Sequence, residues 1–120
     1  MNIHLVEVSN QNGEMFFNIF DSDIDENIGI LFTVGDNVAY EIKEEFRGKG
    51  AATEALKKSL EKIKKPKLEI TFYNIPSMKV AKKAGFKLIR TEGDFCIYIH
   101  PDRGENQSIS SYNYLVHNLL

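Results

Sequence analysis

The sequence has no tryptophan, only three prolines and a single cysteine, Cys96. One cysteine excludes an intrachain disulfide, and no Cys/His spacing suggests a structural zinc, so no metal is expected. No apolar run approaches the ~20 residues of a membrane span, so no membrane partner is expected. The N-terminus lacks a basic region followed by an apolar core, so no signal peptide is expected and the chain reads as cytoplasmic. Positive charge is not in excess: Lys and Arg total 15 against 17 Asp and Glu, a net charge of −2. That argues against a general nucleic-acid binder, whose domain is normally strongly basic. Internal repeats and low-complexity linkers are absent too.

What is present is ordinary for a globular protein. With 42% hydrophobic and 27% charged residues over 120 positions, residues 1–120 are expected to form one domain with one core. Charge is uneven along the chain. Lysines cluster between Lys57 and Lys87, acids at 21–26 and 41–45.

The first third reads as an antiparallel meander. Residues 3–8 are rich in strand formers. Residues 9–13 turn the chain, with Asn12-Gly13 a hairpin signal. Strands over 15–20, 28–34 and 38–43 follow, separated by an acidic loop at 21–27 and a turn at 35–37. The clearest helix is expected over 51–64, where Ala52, Leu56, Leu60 and Ile63 form an apolar stripe. Glu54 with Lys58 and Glu61 with Lys65 are favourable i, i+4 pairs, and Pro66 stops the helix. Residues 67–73 alternate as a strand. Strand, helix, strand in this order implies a crossover and local parallel pairing. Pro76 suits the first turn of a second helix, with Val80, Ala81 and Ala84 inward, and Gly85 ends it. Strands over 86–91 and 95–100 close the pattern. Residues 101–111 are polar and loop-like. Residues 112–120 are apolar-rich and either dock on their own domain, as a short helix, or make a contact between copies, as in a homodimer.

The most informative stretch is Phe46-Arg-Gly-Lys-Gly-Ala-Ala-Thr-Glu-Ala-Leu56. It joins a strand to a helix. Small residues there let a ligand approach the backbone, and the helix start offers unpaired N–H groups and the positive end of its dipole. Together these make an anion site, suited to a phosphate or pyrophosphate. A Walker loop is excluded, since no window supplies Gly-x4-Gly-Lys-Ser/Thr. A dinucleotide fingerprint fails because Thr53 stands where its third glycine belongs. A glycine-rich turn into a surface helix is the plain structural alternative.

Arg47-Gly-Lys-Gly50-Ala-Ala52 satisfies a third pattern, Arg/Gln-x-x-Gly-x-Gly/Ala. It resembles the acetyl-CoA pyrophosphate loop of the GNAT superfamily of N-acetyltransferases. The longer run to Leu56 most resembles the branch that acetylates ribosomal-protein N-termini. A second match lies downstream: Asn74-Ile-Pro-Ser77 followed by Lys83-Ala-Gly85-Phe86 resembles the later GNAT motif, a helix opened by Asn-x-x-Ser/Ala and closed by Lys-x-Gly-Phe. The resemblance covers about residues 38–95.

This resemblance implies an α/β (α+β) fold: a mixed, mainly antiparallel sheet of six to seven strands with two main helices. It implies acetyl-CoA as cofactor and a primary amine as acceptor, acetylated by direct attack in a ternary complex. The pyrophosphate would lie on backbone N–H groups from Arg47 through Gly48, Lys49, Gly50, Ala51, Ala52 and Thr53, with Arg47 and Lys49 adding charge. The pantetheine arm would pair with the strand backbone at Glu41, Ile42 and Lys43. Asn74 would contact the same arm, and Lys79, Lys82 or Lys83 would reach the adenosine 3′-phosphate.

Catalytic groups are less determined. Many members of the family carry a tyrosine seven residues after the asparagine, where this chain has Ala81. Ser77 is the candidate hydrogen-bond donor near the sulfur, or else only the cap of its helix. Glu41 is the candidate base, or else an exposed strand residue. Tyr73, Tyr98, His4, His100 and Cys96 read more readily as structural. The family usually places one or two helices between its first two strands; here Val8 and Met15 are too close for that. Two functions therefore stand: an N-acetyltransferase, or a CoA-binding or protein-interaction module on the same fold. The acidic loop at 21–26 offers a site for a cationic acceptor.

Overall fold

Asn12 and Gly13 take positive φ, 55° and 81°. That left-handed pair builds the tightest hairpin turn. Strand β1 (Ile3–Gln11) therefore folds straight back into β2 (Glu14–Asp21), and both run longer than the sequence pattern implied. The computed structural model describes residues 1–104. The terminal stretch 112–120, read above as docking or self-associating, lies outside the described residues, as does most of the polar segment before it. Strands β3 (Glu26–Val34) and β4 (Asn37–Ile42) complete the meander. Helix α1 (Ala51–Ser59), strand β5 (Lys67–Thr71), helix α2 (Ile75–Lys83) and strands β6 (Lys87–Glu92) and β7 (Phe95–Ile99) follow.

Among the described residues seven strands form one sheet in the order β1-β2-β3-β4-β5-β7-β6. Every pairing is antiparallel except β4 with β5. The expected crossover is thus present, and the sheet is mixed and mainly antiparallel as the resemblance implied.

Register identifies the core face. Leu5 lies opposite Ile19, Phe17 opposite Leu31, Leu68 opposite Tyr98 and Ile70 opposite Cys96. All are buried, in one cluster with Ala55 and Leu56 of α1 and Ala81 and Ala84 of α2. Both helices therefore pack on the same face of the sheet. The opposite face presents Val6, Val34 and a stacked Phe16–Phe32 pair with ring centroids 5.7 Å apart. With β1 and β2 joined by two residues, no helix from that connection covers it.

Helix α1 is shorter than its apolar stripe implied. It ends at Ser59, not at residue 64. The Ser59 hydroxyl donates to the Leu56 carbonyl at 2.5 Å, a local bond that competes with helix propagation. Leu60, Glu61 and Lys62 then donate to carbonyls three residues back, the tighter turn common at helix ends. Ile63 is buried all the same, from the turn rather than the helix. The ion pairs shift with it: Glu54 meets Lys57 and Glu61 meets Lys58, each at i, i+3 spacing. Strand β5 likewise stops at Thr71 and leaves Phe72 and Tyr73 exposed.

Asp21 anchors the chain start. Its Oδ1 accepts the Asn2 N–H at 3.0 Å and the Asp23 N–H at 3.1 Å, while Asp23 pairs with the N-terminal amine at 2.6 Å. These donors, the Asn2 N–H foremost, hold the Asp21 carboxyl below its ordinary value of 3.8. A depressed carboxyl contributes stability that is present above its unfolded value and lost as pH falls through its folded one. Asp21→Asn cannot titrate. The gap in urea midpoint between wild type and Asp21→Asn should therefore close on acidification below about pH 4 and stay constant at higher pH. A gap unchanged at pH 3 would contradict this role.

Candidate active site

Parallel pairing of β4 with β5 begins and ends at one register, Asn37 with Lys67. Beyond it the two strands separate. Helix α1 follows β4 and α2 follows β5, so both helices begin at the same edge of the sheet, where the strands have parted. A crevice at the carboxyl ends of neighbouring parallel strands is where open α/β sheets bind ligands. Here it is a cavity of about 700 Å³, within the usual range for a small-molecule site.

The backbone lining it is unsatisfied on one side. Lys43 N–H donates to Ile28 O at 2.8 Å, so it points at β3. Amides alternate along a strand, and the Tyr40 and Ile42 amides therefore turn toward the gap. The amides of this strand end that face the cavity are thus those of Tyr40 and Ile42. Lys43, expected among them, faces β3 and does not line the cavity.

At the loop, Gly48 and Gly50 have φ of 76° and 89°. Only glycine holds that conformation freely, and it turns the chain so that Gly50 caps α1. Gly48, Gly50, Ala51, Ala52 and Thr53 line the cavity, with the first-turn amides of α1 free of intrahelical partners. Arg47 also lines it but is turned back: its Nε donates to the Ile42 carbonyl at 2.7 Å, and Nη2 lies 3.9 Å from Glu41 Oε1. It clips the loop to the end of β4. Lys49, expected to add charge, is not in the lining; its Nζ lies 6.0 Å from the centre of the Phe46 ring. Across the gap, α2 contributes Asn74, Ser77, Lys79 and Lys83, leaving Lys82 outside.

The sequence model of the acetyltransferase (GNAT) family matches residues 9–86. The chain belongs to this family. Solved structures agree at the level of fold. The N-acetyltransferase PseH of Campylobacter jejuni, solved with acetyl coenzyme A, aligns with a TM-score of 0.60 at 18% identity, covering 74% of this chain and 68% of that one. The ribosomal L7/L12 α-N-protein acetyltransferase RimL aligns at 0.59 and 19%, covering 72% and 68%. The spermidine N-acetyltransferase of Vibrio cholerae, solved with CoA and spermine, aligns at 0.59 and 16%, covering 73% and 64%. The GNAT chain described here thus spans about two thirds of the length of those structures. No curated protein matches its sequence.

The candidate catalytic groups of this GNAT chain divide. Asn74, not Ser77, caps α2: its side-chain oxygen accepts the Ser77 N–H at 3.3 Å. The Ser77 hydroxyl is left for other partners. Glu41 stands in the cavity wall with its carboxylate 73% exposed. Tyr98 is in the core and Tyr73 on the surface. His4 bonds Ser22, His100 packs edge-on against Phe86, and Cys96 is buried; none of these lines the cavity. Ala81 is fully buried against the core.

Sequence reasoning missed Tyr40. Val38, Tyr40 and Ile42 share the helix-facing side of β4, and Tyr40 lines the cavity together with Ser77. Burial raises its pKa above the usual 10, and Ser77 opposes that only in part. The signal was there: alternation from Val38 puts Tyr40 inward and Glu41 outward.

Proposed function

We propose that this protein is an acetyl-CoA-dependent N-acetyltransferase, with residues 1–120 forming one acetyl-CoA-binding domain. The observation that carries this reading is the cavity between β4 and the starts of α1 and α2. Gly48–Thr53 would hold the pyrophosphate with backbone amides. The Tyr40 and Ile42 amides and Asn74 would hold the pantetheine arm, and Lys79 and Lys83 the adenosine 3′-phosphate. Acetyl-CoA brings the activated thioester. The chain's part is to align that thioester with an amine. Glu41, directly or through water, takes the amine proton, and Ser77 donates to the sulfur.

The acceptor we infer is the N-terminal amine of a peptide or protein. The run Arg47–Leu56 resembles the branch acting on ribosomal-protein N-termini, and RimL is among the similar folds. The two-residue β1–β2 turn supplies no helix to enclose a small acceptor, which favours a partner that brings its own surface. Titration calorimetry with acetyl-CoA should show binding at micromolar concentration, and thiol release should follow with peptides ahead of polyamines. No heat at millimolar acetyl-CoA would remove the reading. Ala81 and the short β1–β2 turn favour a second reading, a CoA-binding module: binding with no thiol release across the amine panel would establish it.

A further inference from the structure

We propose that residues 112–120 seat as a short helix on the outer face of the sheet, the side opposite α1 and α2. This stands on sheet register and sequence pattern and is independent of the cofactor reading above.

The outer face is apolar, and neither described helix covers it. Phe16 lies opposite Phe32, and Phe32 opposite Ala39; Ile30 lies two residues before Phe32 on β3. These positions alternate with the buried Phe17, Leu31 and Val38, so they point away from the helices. Val6 stays 47% exposed and Val34 55%. The patch runs from β1 to β4, three strand spacings or ~14 Å, and from Ile30 to Val34 along β3, also ~14 Å. The core face has no such vacancy: Leu5, Phe17, Ile19 and Leu31 are each 7% exposed or less, in one cluster with both helices.

The end of the chain carries the matching surface. Tyr112, Leu115, Val116, Leu119 and Leu120 stand at i, i+3, i+4, i+7 and i+8. Wound as a helix they form one apolar stripe, with Tyr114, His117 and Asn118 on the other side. Ser111 stands at the N-cap position. Residues 112–120 hold no Asp, Glu, Lys or Arg, so seating them on an apolar surface buries no side-chain charge. A nine-residue helix is too short to hold by itself in water and needs a surface. At ~1.5 Å per residue it is ~13.5 Å long, the size of the patch.

The connection reaches. Gly104 N–H donates to the His100 carbonyl at 3.0 Å, so the described chain stops one turn past the end of β7. There Ile99 pairs with Lys67, Lys67 with Asn37, and Asn37 with Val34. That row crosses three strand spacings, ~14 Å, and ends on the patch. The polar residues 105–111 can span up to ~23 Å.

Hydrogen exchange on the chain of residues 1–120 tests the seat. The first four amides of a helix have no intrahelical acceptor, so the readout is residues 116–120. In wild type these should exchange roughly tenfold or more slowly than an unprotected chain. Val34→Asp puts a charge in the patch and should return them to the unprotected rate, while the amides of β1–β4 keep their protection. Leu115→Asp should do the same from the other partner. Isotope-filtered NOEs on wild type, mixing labelled and unlabelled chains, should place Leu115 or Leu119 against the Phe16 or Phe32 ring within one chain. Unprotected amides at 116–120 in wild type overturn the proposal. So does protection that survives Val34→Asp in a folded sheet. Contacts found only between chains overturn it in favour of a second copy on this face. Should either variant fail to fold, the wild-type NOEs decide alone, and their absence overturns it.

Discussion

Gly50→Glu is expected to weaken acetyl-CoA binding by about 100-fold or more, while Gly50→Gln weakens it far less. Gly50 caps α1 at φ 89°, and the nearest atom to an added Cβ is Met1 Cε at 3.8 Å. Space is therefore available, and two other terms operate. The left-handed backbone costs any L-residue roughly 1–2 kcal/mol, a stability term common to Glu, Gln and Ala. The carboxylate adds repulsion. At ~5 Å from a phosphate charge with an effective dielectric of ~20 it amounts to about 3 kcal/mol, close to 150-fold in affinity. Calorimetry on the Ala, Gln and Glu variants separates conformation, bulk and charge. The Glu variant should still fold, with a midpoint near that of the Ala variant. Equal affinities for Glu and Gln would show that no anion sits at this turn.

Residues that punctuate the backbone were the most legible. Asn12-Gly13 fixed the first hairpin, Gly48 and Gly50 the loop, and Pro76 with Gly85 bracketed α2. These residues act through φ and the missing N–H, which are local properties. The crevice itself was not legible from residues alone. It exists because β4 and β5 pair at Asn37 and Lys67 and then part, and no local pattern states where pairing ends. Helix α1 was overextended because an apolar stripe continues to Ile63, while the Ser59 hydroxyl turns the chain before it. The cap of α2 was not legible for a similar reason: Ser77 was the residue weighed for it, either side chain can cap a helix, and Asn74 fills the role. Arg47 lines the cavity, and what its charge alone does not tell is that its guanidinium closes on the Ile42 carbonyl.

Two residues connect β1 to β2, so among the described residues no helix from that connection covers the outer sheet face. Helices α1 and α2 both lie on the core face, and the cavity is built from them and from β4. The cavity is therefore independent of the β1–β2 connection. Cofactor binding should survive in this chain even if its acceptor must be supplied as a structured surface.

Gly29→Ala should be the most damaging single methyl in the sheet, at about 2–4 kcal/mol. Gly29 lies on β3 opposite Ile42, the last residue of β4. An added Cβ would sit 2.3 Å from the Glu41 carbonyl oxygen and 3.1 Å from Ile42 Cα. Those are backbone atoms, so the clash cannot be relieved by a rotamer change. Glycine inside a strand often marks such a close approach of another backbone. The end of β4 must move away from β3, which strains the Lys43 to Ile28 bond of 2.8 Å. The same residues form the cavity wall and hold Arg47, so acetyl-CoA affinity should fall together with stability. Gly35→Ala is the control: φ is 59° and nothing lies within 4 Å of its added Cβ, so only the conformational term of about 1 kcal/mol applies. Urea denaturation and calorimetry on the two variants decide the matter. If Gly29→Ala unfolds at the same midpoint as Gly35→Ala and binds acetyl-CoA as wild type does, β3 does not set the position of β4 at the crevice.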